Sequence, residues 1–135
     1  MDFGRRPWWM IGLFAFCLFM TFAYLPWDFF WKSVADDEEV WFGFLLRGWA
    51  AKATEPLHFA IYAAGAYGFW RMRAWMHPWA ALYVLQIAIG MLVWSLTDAL
   101  GRGRSLALGL VPFAVFAALA FQLWRARGHF NTRAG

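Results

Sequence analysis

The chain has 135 residues, of which 63% are hydrophobic, 22% aromatic and only 15% charged, with a net charge of +4. A body this small has too little interior to hide so much apolar surface from water, so the composition excludes an ordinary soluble domain and points to lipid as the solvent. The basic residues stand in short clusters at the ends of apolar runs rather than on one face, which argues against a nucleic-acid partner.

The first apolar run comes after Arg5 and Arg6 and extends over about 7–27. It is long and aromatic and ends in Pro26-Trp27-Asp28 with no small-residue cleavage site, so it reads as a retained span and not a signal peptide. The connection from Asp28 to Thr54 begins with the acids Asp36, Asp37, Glu38 and Glu39. Its centre, Val40 to Ala53, is rich in Trp, Phe and Leu, and predicts an amphipathic helix in the interface of the first outer loop, or a cap tucked over the bundle. Trp41, Trp49, Trp75 and Trp79 read as interfacial anchors, and Arg47 as an interfacial cation for Glu55, Asp98 or a lipid phosphate.

Three more spans are predicted, over about 55–72, 78–97 and 105–124. Pro56 and Pro78 sit near helix starts, where a missing N–H does no harm. Gly101 and Gly103 punctuate the last connection, and Pro112 predicts a kink in the fourth span. On the second span Ala60, Ala64 and Gly68 form a ridge of small residues, suited to helix packing within the bundle or to a dimer face. The polar tail after Arg125 is expected to fray. The fold expected is therefore all-α: one integral membrane domain over 1–135, a four-helix transmembrane bundle. Arg5, Arg6, Arg71, Arg73, Arg125, Arg127 and Arg133 fall on alternate connections and the two ends, so the positive-inside rule places both termini in the cytoplasm.

Ionisable groups in or beside spans are costly and need a reason. Asp28 ends the first span, Glu55 and His58 open the second and Asp98 ends the third, so all four are expected at one depth near the outer face. Glu55, His58 and Tyr62 share a helix face, as do Gln86, Gly90, Trp94 and Asp98. If both stripes face the bundle axis they line a polar-topped, aromatic-walled cavity for a lipophilic molecule with one amine or hydroxyl, with Asp28, Glu55 and Asp98 as polar anchors. Plainer readings stand beside this one. Glu55 before Pro56 suits a helix start, Asp28 and Asp98 suit a boundary with water, and His58 suits a hydrogen-bonded packing position.

Nucleotide-binding loops, metalloprotease motifs and nucleophile elbows are absent from the sequence, and Cys17 stands alone inside an apolar run. His58, His77 and His129 are not spaced as paired ligands. No cofactor and no metal are expected.

The stretch Leu45-Leu46-Arg47-Gly48-Trp49-Ala50-Ala51-Lys52-Ala53-Thr54-Glu55-Pro56-Leu57 resembles the segment before the second span of EXPERA-domain proteins, the group of the sigma-2 receptor and the emopamil-binding sterol isomerases. The resemblance implies a four-span bundle with cytosolic termini, an aromatic cavity and a sterol-like or cationic amphiphilic ligand. Here the acid-Pro step is Glu55-Pro56 where the family more often has Asp-Pro, and Gln86 stands where an isomerase would want a glutamate. Three functions are thus expected in order: binding of a lipophilic ligand from the bilayer; isomerisation of a sterol-like lipid by proton transfer, with His58 and Glu55 as the catalytic candidates; and an accessory role in a larger membrane complex. The partners expected are membrane lipids, a lipophilic small molecule, and a homodimer or larger assembly.

Overall fold

The computed structural model describes residues 6–102 and 107–130, and the side chains of these except 98–102 and 107–108. About 82% of it is helical. Helix α1 (Trp8–Trp31) leads through a short loop to a hairpin of β1 (Glu38–Trp41) and β2 (Phe44–Arg47). Helices α2 (Trp49–Arg71), α3 (Met76–Arg102) and α4 (Ala107–Arg125) come next, and a 3-10 turn, Ala126–Phe130, closes the described chain. Three stretches, Trp8–Trp31, Met76–Thr97 and Gly109–Phe130, are long and apolar enough to cross a bilayer. Their large side chains turn outward, with Trp8 84% and Phe22 75% exposed. Such a surface is stable against lipid and not against water; this is a membrane protein. Helix α2 has 23 residues but carries Lys52, Glu55 and His58 in its first half, and is not among the three.

The helices associate as two pairs, α1 with α2 and α3 with α4, while α2 and α3 touch more sparingly. Small residues set both close approaches. A methyl on Gly65 would stand 3.1 Å from Cys17 Sγ, and one on Gly109 would run into the side chain of Ser95. The core lies at the end where the α2–α3 turn meets the start of α1 and the closing 3-10 turn, around Met10, Phe69, Met76, Leu123 and Phe130. The tail does not fray at once: Phe130 is 1% exposed, its ring 6.1 Å from that of Phe69. Burying an aromatic ring outweighs the entropy of ordering one turn of chain. At the same end Arg6 donates to the carbonyls of Phe69 (3.0 Å) and Trp70 (2.7 Å), acceptors that the end of a helix leaves without partners. Of the small-residue ridge only Gly68 is buried, where a methyl would collide with Met76; Ala60 and Ala64 are exposed.

Helix α1 is not uniform. Met20–Tyr24 winds as a π turn, with the Leu25 amide donating to the Met20 carbonyl. Thr21 Oγ1 donates to the Cys17 carbonyl at 2.8 Å, and Pro26, lacking an N–H, stands just beyond. A proline and a local widening of this kind are the usual causes of a change in helix direction.

The interfacial helix expected over Val40 to Ala53 is not formed. Val40 to Arg47 lies in the hairpin, and the residues from Trp49 onward open α2. Two backbone positions decide this. Phe42 (φ 52°) and Gly43 (φ 87°) both take positive φ, the requirement of a two-residue turn whose twist matches paired strands. Gly48 (φ 58°, ψ −130°) then adopts a conformation that suits glycine alone, ending the strand before α2 begins. The register pairs Glu38 with Arg47 and Val40 with Leu45. The hairpin tip rests on α3 by direct backbone approach: a methyl at Gly90 would stand 3.3 Å from the Gly43 nitrogen, and one at Gly43 would collide with Val93.

Candidate functional site

Under the hairpin, between α2 and α3, lies a cavity of about 350 Å³. Helical spacing builds its walls. His58 and Tyr62 project one turn apart from α2, and Gln86, Gly90 and Trp94 recur along one stripe of α3, while Val40 and Trp41 of the hairpin form the roof. The Trp41 indole stacks on the His58 imidazole, with ring centroids 4.2 Å apart and planes at 12°. His58 Nδ1 lies 3.2 Å from Glu39 Oε2, each side chain 14% exposed. The imidazole is thereby held on two sides by one strand, through a carboxylate at position 39 and an aromatic face at position 41. Tyr62 sits edge-on to Tyr83, centroids 6.2 Å apart, and Phe16 of α1 closes the back of Tyr62 at 5.8 Å. The indole Nε1 of Trp41 is buried and has no hydrogen-bond partner among the described residues, which leaves a donor beside the cavity.

Four of the residues expected at a ligand site, His58, Tyr62, Gln86 and Trp94, are brought together here. Trp41 joins them as a roof residue rather than an interfacial anchor. Trp49 remains on the surface at 76% exposure. Arg47 pairs across the hairpin with Glu38 (3.0 Å), not with Glu55. The side chain of Asp98 lies outside the described residues.

Asp28 and Glu55 do not line this cavity. They are buried with Asp37 in an ion cluster where α1, the first loop and α2 meet. Lys32 Nζ is 3.0 Å from Asp28 Oδ1 and 2.9 Å from Asp37 Oδ1. Lys52 Nζ is 3.5 Å from Asp37 Oδ2 and 3.3 Å from Glu55 Oε1, and it donates to the carbonyls of Asp28 and Lys32. The physical reason is neutralisation: carboxylates this deep are tolerated only when paired, and lysine stems at positions 32 and 52 are long enough to reach them. Burial works against the charge of Asp37, but the Lys32 ammonium in contact with it, followed by a hydrogen bond with Glu55 and the charge of Lys52, holds its carboxyl below the ordinary value. Lys32 is held above its ordinary value because its bonds to Asp37 and Asp28 outweigh the cost of its own burial. The three carboxylates approach within 4.8 Å of one another, as a cation site would require, yet two ammonium groups already supply the positive charge. The cluster reads as a structural clamp on the loop that carries the hairpin.

Reasoning along the sequence misses Tyr83 in the cavity wall and Glu39 as the partner of His58. Tyr83 carries a signal, since it stands one helical turn before Gln86 and Ile87 on the same stripe. Glu39 carries none beyond its place in an acidic run, because its approach to His58 depends on the hairpin. In comparison with known proteins, no family model, curated protein or solved structure matches this chain.

Proposed function

We propose that the chain is a four-span membrane protein, with both termini cytoplasmic, that binds a lipophilic molecule bearing an amine or hydroxyl in the hairpin-capped cavity. At 1.5 Å rise per residue, α2 is about 34 Å long, enough to cross beside its partner α1, and its polar first half is absorbed by the ion cluster and the His58 pair. The observation that carries the reading is that His58, paired with Glu39, lines an aromatic-walled cavity. His58 offers a ring nitrogen to an amine or hydroxyl, and the Glu39 carboxylate in contact with it supplies a negative charge beside the cavity. Trp41, Trp94 and the tyrosines offer ring faces to a cation or a hydrocarbon body. The polar anchor is thus assigned to Glu39 and His58, with Asp28 and Glu55 holding the frame. The ligand class agrees with what the resemblance to EXPERA-domain proteins implies.

The test is equilibrium binding of a lipophilic amine to the purified protein and to Glu39→Gln and His58→Ala. A charge-assisted hydrogen bond is worth about 1.5–3 kcal/mol, so Glu39→Gln is expected to weaken binding by about ten- to a hundredfold. Unchanged affinity in both variants would remove the reading. The same pair supports a second function, proton transfer on a sterol-like lipid, because an imidazole oriented by a carboxylate is a competent acid or base. That function requires turnover with a pH profile that His58→Ala abolishes.

A further inference from the structure

We infer that a second, apolar chamber beneath the capped cavity holds the hydrocarbon chain of a single-chain amphiphile whose polar head occupies the first, an inference that rests on the reading above. The chamber has a volume of about 330 Å³ and is walled by all four helices, with Cys17 from α1, Gly65 from α2, Val84 from α3 and Leu119 from α4 among its lining. It exists because the two helix pairs are each tight and meet each other sparingly. Tyr62, Tyr83 and Ile87 line both spaces, so the two are stacked end to end through one waist.

The chemistry changes across that waist. Above it stand Gln86 and His58, the latter paired with Glu39; below it the lining is hydrocarbon and aromatic, and its polar groups are the Cys17 thiol, the tyrosine hydroxyls and the indole N–H groups of Trp75 and Trp79. The lining of the lower space holds no charged side chain, so an ammonium head finds no ionic partner there, while an alkyl chain finds matched walls. Tyr62 and Tyr83 meet edge to face at 89° at this waist, so a chain that passes turns at least one of the two rings aside. Helix geometry sets the length. His58 lines the upper space and Phe69 the lower, and the eleven helical steps between them span about 16 Å. An extended alkyl chain advancing ~1.3 Å per carbon covers this with about a dozen carbons.

The experiment uses dodecylamine carrying a diazirine at its ω carbon, bound to the full chain in phosphatidylcholine nanodiscs and irradiated. The expected adducts fall on chamber residues such as Cys17, Phe69 and Leu119. In parallel, Ala80→Phe, which fills the lower space only, is expected to weaken dodecylamine at least tenfold while leaving benzylamine, held by the upper cavity, unchanged. Adducts on outward residues such as Phe22 or Val115, with Glu39→Gln still weakening both amines, overturn the chamber and spare the head site. Binding of neither amine overturns both. Because the labelling is done on the unmodified protein, a variant that fails to fold does not blunt the result.

Discussion

The ion cluster makes a quantitative demand on Lys52. Its side chain is nearly buried, and its ammonium reaches Asp37 and Glu55 while also donating to two main-chain carbonyls. Lys52→Met keeps most of the stem and removes the charge, leaving three buried carboxylates facing Lys32 alone. Removing one partner of a buried ion pair typically costs 3–5 kcal/mol, because the remaining charge is uncompensated. A carboxyl that takes up a proton escapes part of that penalty, so the lower edge, about 3 kcal/mol, is expected, roughly a hundredfold in the unfolding equilibrium. The assay is unfolding of the protein in dodecylmaltoside by added sodium dodecyl sulfate, followed through the fluorescence of its eleven tryptophans. Adding Glu55→Gln to Lys52→Met should recover part of the loss, since the two sites share one contact and their effects will not add. A loss below about 1 kcal/mol for Lys52→Met, the level of an exposed pair, would mean that water screens the cluster and that the clamp assigned to it is wrong.

Acid should act on the same cluster. The carboxyl of Asp37 is held below its ordinary value of 3.8, so its contribution is complete above that pH and is lost as the pH falls through the lowered value. Stability in the same unfolding assay should therefore drop below pH 3.8, and Asp37→Asn should flatten that limb while lowering stability at neutral pH. At the hairpin tip, Gly43→Ala combines a left-handed backbone, worth about 1–2 kcal/mol for a residue with a side chain, with a collision against Val93. The roof should lift, seen as faster maleimide labelling of a Met91→Cys reporter in the cavity wall on a chain whose Cys17 has been replaced; Gly12→Ala, which meets open space, should leave the rate unchanged.

The helical stripes of the cavity are legible in the sequence because they are local. His58 and Tyr62, and Gln86 with Trp94, fall on shared faces by spacing alone, and two neighbouring helices are enough to bring the stripes together. The hairpin is not legible, and the reason lies in two residues. A two-residue turn usually announces itself as Asn-Gly or Asp-Gly; here Phe42 occupies the first place, and an aromatic residue between Trp41 and Phe44 reads as one more member of an apolar helix face. Once the hairpin is lost from view, so is Glu39, whose partner His58 is nineteen positions away. For Asp28 and Glu55, the shared depth read from the span ends is met, but in a cluster with Asp37 that stands apart from the lining of the capped cavity. Their charges are answered by Lys32 and Lys52, which in sequence look like ordinary flanking lysines. Neutralisation inside a cluster depends on which stems can reach, and that is a property of the fold rather than of spacing.

The π turn in α1 has a consequence for how this chain tolerates length changes. Each residue of an α-helix rotates the next by about 100° around the axis. Deleting one residue from the regular stretch Trp8–Phe19 or from Leu25–Trp31 would rotate the two halves of α1 against each other and carry Asp28 and Lys32 together away from Lys52, whereas a deletion within Met20–Tyr24 turns the π turn into regular winding and keeps the halves in phase. The widened turn thus acts as a phase-setter. It holds the half of α1 that packs beside Gly65 and the half that carries Asp28 and Lys32 in angular agreement with one residue to spare, so a single-residue deletion is absorbed there and not elsewhere in the helix.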